Sequence, residues 1–129
     1  MSPKVPRLKR RAEFLKVARD GRKWAAPGLV LQALDRGAGD AEIRAGFTVS
    51  RKVGNAVARN RARRRLKAAA ERVLGDLGKA GHDYVLIGRQ ATLNRPFQAL
   101  VADLRKALER TAKAPGEKPS GRDSTEKAV

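Results

Sequence analysis

The sequence predicts an α+β fold: a single-domain α/β sandwich, with a small mixed sheet and three helices in the order helix, strands, helix, strand, helix. Three observations carry that expectation. Apolar residues recur at helical spacing in three stretches, within residues 7–20, 58–73 and 97–108. Between them lie short apolar runs of strand length, LVLQAL, IRAGFTVS and DYVLIG, punctuated by Gly, Pro, Asp or Ser. A chain of 129 residues with 41% apolar content suffices for one core and is short for two.

In the first stretch, RLKRRAEFLKVARD (7–20), Phe14, Val17 and Ala18 fall together on a helix, and Gly21 is a fitting stop, able to turn with positive φ. Trp24–Ala26 reads as a short strand, Pro27-Gly28 as punctuation, and Leu29–Leu34 as a second strand. DRGAGDAE (35–42) has turn chemistry, consistent with a hairpin loop leading into the strand Ile43–Ser50. Asn55 is a fitting N-cap for a helix running to about Leu74, with Gly75 and Gly78 ending it. Its apolar face, Ala58, Ala62, Leu66, Ala69 and Val73, is thin at the start and fuller after Leu66. Asp83–Gly88 reads as a buried strand. Asn94-Arg95-Pro96 then opens a last helix with Phe97, Leu100, Val101, Leu104 and Leu108 on one face. From Ala114 the apolar period is lost and the charges balance, so residues 1–113 read as one domain and 114–129 as a disordered tail.

The net charge is +17 and the isoelectric point is near 11.5, which points to a polyanion: nucleic acid first, an anionic membrane surface second. Residues 1–67 hold 19 Lys/Arg against 5 Asp/Glu, and no acid lies between Glu42 and Glu71. The charge peaks in AVARNRARRRLKAAAER (56–72), where Arg59, Arg61, Arg63, Arg64, Arg65 and Lys67 wrap most of the helix circumference. A merely solvated face would carry acids at i,i+4, and none appears before Glu71. Upstream, Ser50 ends a strand, Arg51 and Lys52 follow, Gly54 allows a tight turn, and Asn55 caps. Cations at a strand end, free N–H groups at a helix start and arginine forks in its first turns all seek phosphate. About six to eight such contacts give a log–log salt slope near −5 to −7, more than a small acidic metabolite could supply. The expected polymer is RNA before DNA. With no cysteine and one histidine, His82, the sequence excludes disulfides, thiolate chemistry and multi-histidine metal sites. No protein nucleophile or base constellation can be assembled from it.

These residues resemble the protein subunit of bacterial ribonuclease P. The likeness is carried by Arg59-Asn60-Arg61, continued by Arg63, Arg64 and Lys67 and preceded by VSRKVGNAV (49–57), and it extends through EFLKV (13–17) and DYVLI over about residues 7–112. It implies an α/β sandwich with a left-handed crossover joining two parallel strands through the basic helix, which the residue patterns alone do not suggest. It implies a cytoplasmic bacterial protein that helps a catalytic RNA remove the 5′ leader from precursor tRNA. The RNA, with bound Mg2+, performs the hydrolysis, while the protein strengthens substrate and metal affinity. Neither an organic cofactor nor a metal site of the protein's own is implied, and no obligatory protein partner. Ser50, Arg51, Lys52, Asn55, Arg59, Asn60, Arg61, Arg63, Arg64 and Lys67 would contact ribonuclease P RNA.

The resemblance also implies a cleft between the first helix and the sheet that holds the single-stranded leader. Phe14 matches its aromatic position, where core packing and base stacking both remain open. Ala18 and Gln32 occupy positions often aromatic in relatives, and Val17 and Thr48 are further wall residues. His82 reads as structural or surface, and Trp24 as packing before nucleobase contact. The basic start, Lys4 to Arg11, is compatible with lying along RNA or fraying in water. No membrane partner is expected: MSPKVPRLKRRAEFLKV lacks an apolar stretch of signal-peptide length, and Trp24–Leu34 is too short to span a bilayer. Two competing readings are a structural RNA-binding protein, such as a ribosomal component or RNA chaperone, and an independent nuclease, the latter disfavoured by the missing catalytic groups.

Overall fold

The computed structural model describes residues 5–37 and 41–112. Its elements, in chain order, are α1 (Arg11–Asp20), β1 (Arg22–Ala25), β2 (Leu29–Asp35), β3 (Arg44–Val49), a 3-10 turn (Arg51–Val53), α2 (Ala56–Leu77), β4 (His82–Gly88), α3 (Gln90–Asn94) and α4 (Phe97–Thr111). The expected α+β architecture is present. The 3-10 turn and the short α3 are additions, so the helices number four among the described residues and not three. The tail assigned to 114–129, with the boundary at 113, lies outside the described residues, as do Lys4 and residues 38–40.

The strands run in the order β1-β2-β4-β3. Trp24 stands opposite Leu31 in the antiparallel β1–β2 pair, and Leu31 opposite Leu86 in the antiparallel β2–β4 pair. β3 pairs with β4 in parallel, Phe47 opposite Leu86. The hairpin expected across 35–42 is therefore not formed, because β4 lies between β2 and β3. Its run Asp83–Leu86 is buried throughout, which suits the centre of a sheet covered on both faces. A parallel neighbour requires a crossover, and α2 supplies it.

Strand alternation assigns the two faces. Leu29, Leu31, Tyr84, Leu86, Ala45 and Val49 join Leu66, Leu74, Leu100 and Leu104 of α2 and α4 in the main core. Seven leucines there are completely buried (Leu29, Leu31, Leu66, Leu74, Leu86, Leu100, Leu104), each contributing about 1.5–3 kcal/mol. On the opposite face α1 covers a smaller cluster of Leu8, Val17 and Val85, flanked by Phe14, Leu34 and Ile87.

The first helix starts at Arg11, later than the apolar spacing alone suggests. Ahead of it the chain runs along the outer edge of β3, where the Ala45 N–H donates to Pro6 O (2.9 Å) and the Leu8 N–H to Ala45 O (3.0 Å), covering part of that edge. Glu13 accepts the N–H groups of Lys9 and Arg10 at 3.0 and 3.1 Å, and these bonds hold its carboxyl below the usual range. Gly21 follows α1 with φ −87°, so positive φ is not its reason. A Cβ there would lie 2.6 Å from the carbonyl oxygens of Ala33 and Val17. Gly75 is inside α2, which continues to Leu77 before Gly78 closes it.

One buried carboxylate ties the lower end of the sheet together. Asp83 accepts from Arg44 Nε (2.8 Å) and Nη2 (2.8 Å) and from Arg36 Nη1 (2.7 Å), while Arg44 Nη1 reaches Glu13 at 3.3 Å. Burial pushes the Asp83 carboxyl up, but the hydrogen bonds from Arg44 and Arg36 outweigh it and leave it below its ordinary value.

Candidate nucleic-acid interface

The basic segment begins where β3 leaves the sheet. Ser50 Oγ accepts the Lys52 N–H at 3.3 Å, the 3-10 turn carries Arg51 and Lys52 into solvent, and Val53 is buried as its anchor. Gly54 has φ +155°, and a Cβ on it would meet Ala58 Cβ at 2.9 Å. Asn55 then caps α2 as the sequence suggests, its Oδ1 accepting the Ala58 N–H at 2.9 Å.

The helix buries Ala62, Leu66, Ala69, Ala70, Val73 and Leu74 on one side, while Ala58 is only half-buried. The first turns thus stand at the rim of the core, as expected from their thin apolar face. Asn55, Asn60, Arg61 and Arg64 are exposed, and Arg59, Arg63 and Lys67 are half-buried. Arg59 Nη1 donates to Gly54 O and Arg63 Nη1 to Asn60 Oδ1, both at 2.9 Å. Among the described residues, none of Arg51, Lys52, Arg59, Arg61, Arg63, Arg64 and Lys67 forms an ion pair with a carboxylate. The seven cations among the ten singled-out residues of this segment therefore stand exposed or half-buried, without a carboxylate partner among the described residues. Arg65 differs from them. Its guanidinium turns inward, Nε donating to Thr92 O at 2.8 Å and Nη2 to Arg95 O.

The second group of sequence-selected residues lies on the α1 side of the sheet. Strand register aligns Val30, Ile87 and Thr48 in one row and Gln32, Val85 and Gly46 in the next. Phe14 and Val17 come from α1 above. Thr48 is exposed and Gln32, Val30 and Ile87 are half-buried, so the row beyond the helix is open to solvent. Val17 is completely buried, sealing α1 onto the sheet and presenting no surface to a strand of RNA. Ala18 is exposed on α1, outside the buried cluster that contains Val17 and that Phe14 borders. Val30 and Ile87 escaped sequence reasoning because their apolar runs do not reveal which side each residue takes; only the register does.

Three aromatics are covered by cations. Arg7 lies over Phe47 (5.8 Å), Arg72 over Phe97 (5.8 Å) and Arg110 over Trp24 (5.2 Å). Trp24 packs against the main core, and His82 stacks on Tyr84 at 5.9 Å, so both serve the fold. Tyr84 accepts the Lys79 N–H at 2.9 Å, and burial pushes its hydroxyl up. No group of three or more His, Cys, Asp or Glu able to hold a metal occurs among the described residues, and no helix there is long and apolar enough to cross a membrane.

Comparison with known proteins bears on the same residues. The family model described as Ribonuclease P matches residues 2–112. The chain is similar to the ribonuclease P protein component of Paramagnetospirillum magneticum, 54% identical over 113 residues, covering 85% of each chain. It is 57% identical over 105 residues to that of Ruegeria pomeroyi, covering 80% of this chain and 83% of the relative. Among solved structures it is similar to the RNase P protein from Thermotoga maritima (TM-score 0.68, 27% identity, 81% and 96% covered). It is also similar to the Staphylococcus aureus RNase P protein (TM-score 0.67, 26% identity, 82% and 94% covered).

Proposed function

The chain belongs to the ribonuclease P protein family, and from that premise we propose that it binds a catalytic RNA and, with it, removes the 5′ leader from precursor tRNA in the bacterial cytoplasm. The observation that carries the reading is the cationic end of α2, continuous with Ser50–Asn55 and free of carboxylate partners among the described residues. Holding one polyanion against another is opposed by phosphate–phosphate repulsion. Arginine forks crowded on one surface lower that barrier by neutralising phosphates and releasing their counterions.

In this reading Arg51, Lys52, Asn55, Arg61, Arg64 and their neighbours grip the RNA subunit. The open row Val30–Ile87–Thr48, with Gln32 and Phe14, receives the unpaired leader. Hydrolysis belongs to the RNA: the chain has one histidine and no cysteine, and its buried carboxylates Asp83 and Asp103 already hold guanidinium groups. In this reading the Mg2+ is held by the RNA phosphates. The protein raises metal affinity indirectly, by stabilising the compact RNA that binds it.

The test is cleavage of precursor tRNA by the purified protein, with and without a bacterial ribonuclease P RNA, at limiting Mg2+. Cleavage at the leader junction only with both macromolecules, at lower Mg2+ than the RNA alone requires, is the expected result. Equal affinity for that RNA and for an unrelated structured RNA of the same length would instead favour a general RNA-binding protein. Arg61→Ala and Arg64→Ala should each weaken RNA binding and reduce the salt slope by about one, with thermal stability little changed because both side chains are exposed.

A further inference from the structure

We infer that α3 is a brace that sets the working geometry of the RNA-binding segment, with Arg65 as its positioning residue. This rests on the RNA-binding reading above. Arg65 sits within the arginine run yet reaches away from solvent to two backbone carbonyls, Thr92 O in the middle of α3 and Arg95 O just past its end. A guanidinium suits that task because its fixed fork can serve two acceptors at once, whereas an ammonium is a point charge on a flexible stem.

The other end of α3 meets the other end of the same segment. Gln90 Nε2 donates to Lys52 O at 3.2 Å, in the 3-10 turn that carries Arg51 and Lys52. α3 thus meets the lead-in turn through Gln90 and the third turn of α2 through Thr92 and the following Arg95. These contacts fix how far Arg51 and Lys52 stand from Arg61 and Arg64.

A brace must itself be held, and this one is. Thr92 Oγ1 donates to Gly28 O at 2.6 Å and accepts the Arg89 N–H at 2.8 Å. Arg95 pairs with Asp103 through Nε (2.6 Å) and Nη2 (3.0 Å), and Asp103 Oδ2 also accepts the Gly28 N–H at 2.9 Å. Arg89 Nη1 reaches Ala26 O at 2.6 Å. The β1–β2 turn, α3 and α4 are therefore locked as one unit, and Arg65 and Gln90 transmit that lock to the basic surface.

The experiment measures affinity for ribonuclease P RNA across a KCl series for Arg65→Ala, Arg65→Lys, Gln90→Ala and the double variant Arg65→Ala/Gln90→Ala, at a temperature where circular dichroism shows each folded. Loss of the clamp should weaken binding by about five- to tenfold without changing the salt slope, since no phosphate contact is removed. Arg65→Lys should behave like Arg65→Ala although it keeps the charge. The double variant should lose less than the product of the single losses, as expected of two ends of one brace. The inference is overturned if Arg65→Ala lowers the slope by about one, if Arg65→Lys binds like the unmodified protein, or if affinity is unchanged in every variant. Arg61→Ala is the reference. If it leaves the slope intact and the unmodified protein does not prefer ribonuclease P RNA, the RNA-binding reading itself has failed.

Discussion

Gly46 lies directly beneath the ring of Phe14: a Cβ built there would stand 2.5 Å from Cε2 and 2.6 Å from Cζ. The absence of a side chain lets α1 settle onto the sheet with Val17 fully buried, and that descent leaves the row Val30–Ile87–Thr48 open beyond the helix. Gly46→Ala should therefore lift Phe14 and strain the α1 contact, at a cost of about 1–3 kcal/mol, read as a lower urea midpoint. An unchanged midpoint would show that Phe14 can move aside freely. The same geometry bears on base stacking. Phe47, Phe97 and Trp24 pack against the main core and Tyr84 belongs to it, so Phe14 is the one Phe, Tyr or Trp among the described residues that packs on the α1 side of the sheet. Its ring packs on Gly46 through one part of its surface, so packing and leader contact are compatible uses of a single side chain.

Among the elements, β4 holds the rest in place, and its first turn of chain shows how. Asp83 is 3% exposed and gathers Arg36 after β2, Arg44 at the start of β3 and, through Arg44, Glu13 of α1. Its folded-state carboxyl lies below the ordinary 3.8, so its stabilising contribution is fully present above the unfolded value. That contribution is lost as pH falls through the lower, folded value. Urea midpoints from pH 6 to pH 2.5 should fall along this acid limb. Asp83→Asn should start about 3 kcal/mol lower, because it leaves two arginines facing a neutral amide, and should show a shallower acid limb. Equal acid limbs would remove Asp83 from this role. Such long-range bonds also mark what the sequence could reveal. Asn55 and the α2 stripe are local signals, a cap oxygen three residues from its N–H and apolar residues three and four apart, and both stand as read. The position of β4 between β2 and β3 is not local, since the turn chemistry of 35–42 fits a loop to any neighbour. A helix as short as α3 has almost no intrinsic stability and exists through Thr92, Arg95 and Arg65. For the same reason sequence reasoning grouped Arg65 with the exposed arginines around it.

For the whole molecule, the +17 net charge acts on folding and on RNA binding with opposite sign. In the free protein the cations of residues 51–67 other than Arg65 stand at the surface without carboxylate partners among the described residues, and the compact state brings them closer than the unfolded chain does. Added salt screens that repulsion, the more so as the Debye length drops from about 10 Å at 0.1 M to about 3 Å at 1 M. The melting temperature of the free protein should rise with KCl. Binding runs the other way, because each phosphate neutralised releases a counterion and added salt opposes the release. Over the same KCl series the affinity for a structured RNA should fall steeply while the free protein becomes more stable. A melting temperature that falls with KCl would mean that attractive pairs dominate the fold, and that the arginines of α2 have carboxylate partners within the chain. The two trends together separate a surface held ready for a polyanion from one already neutralised by its own protein.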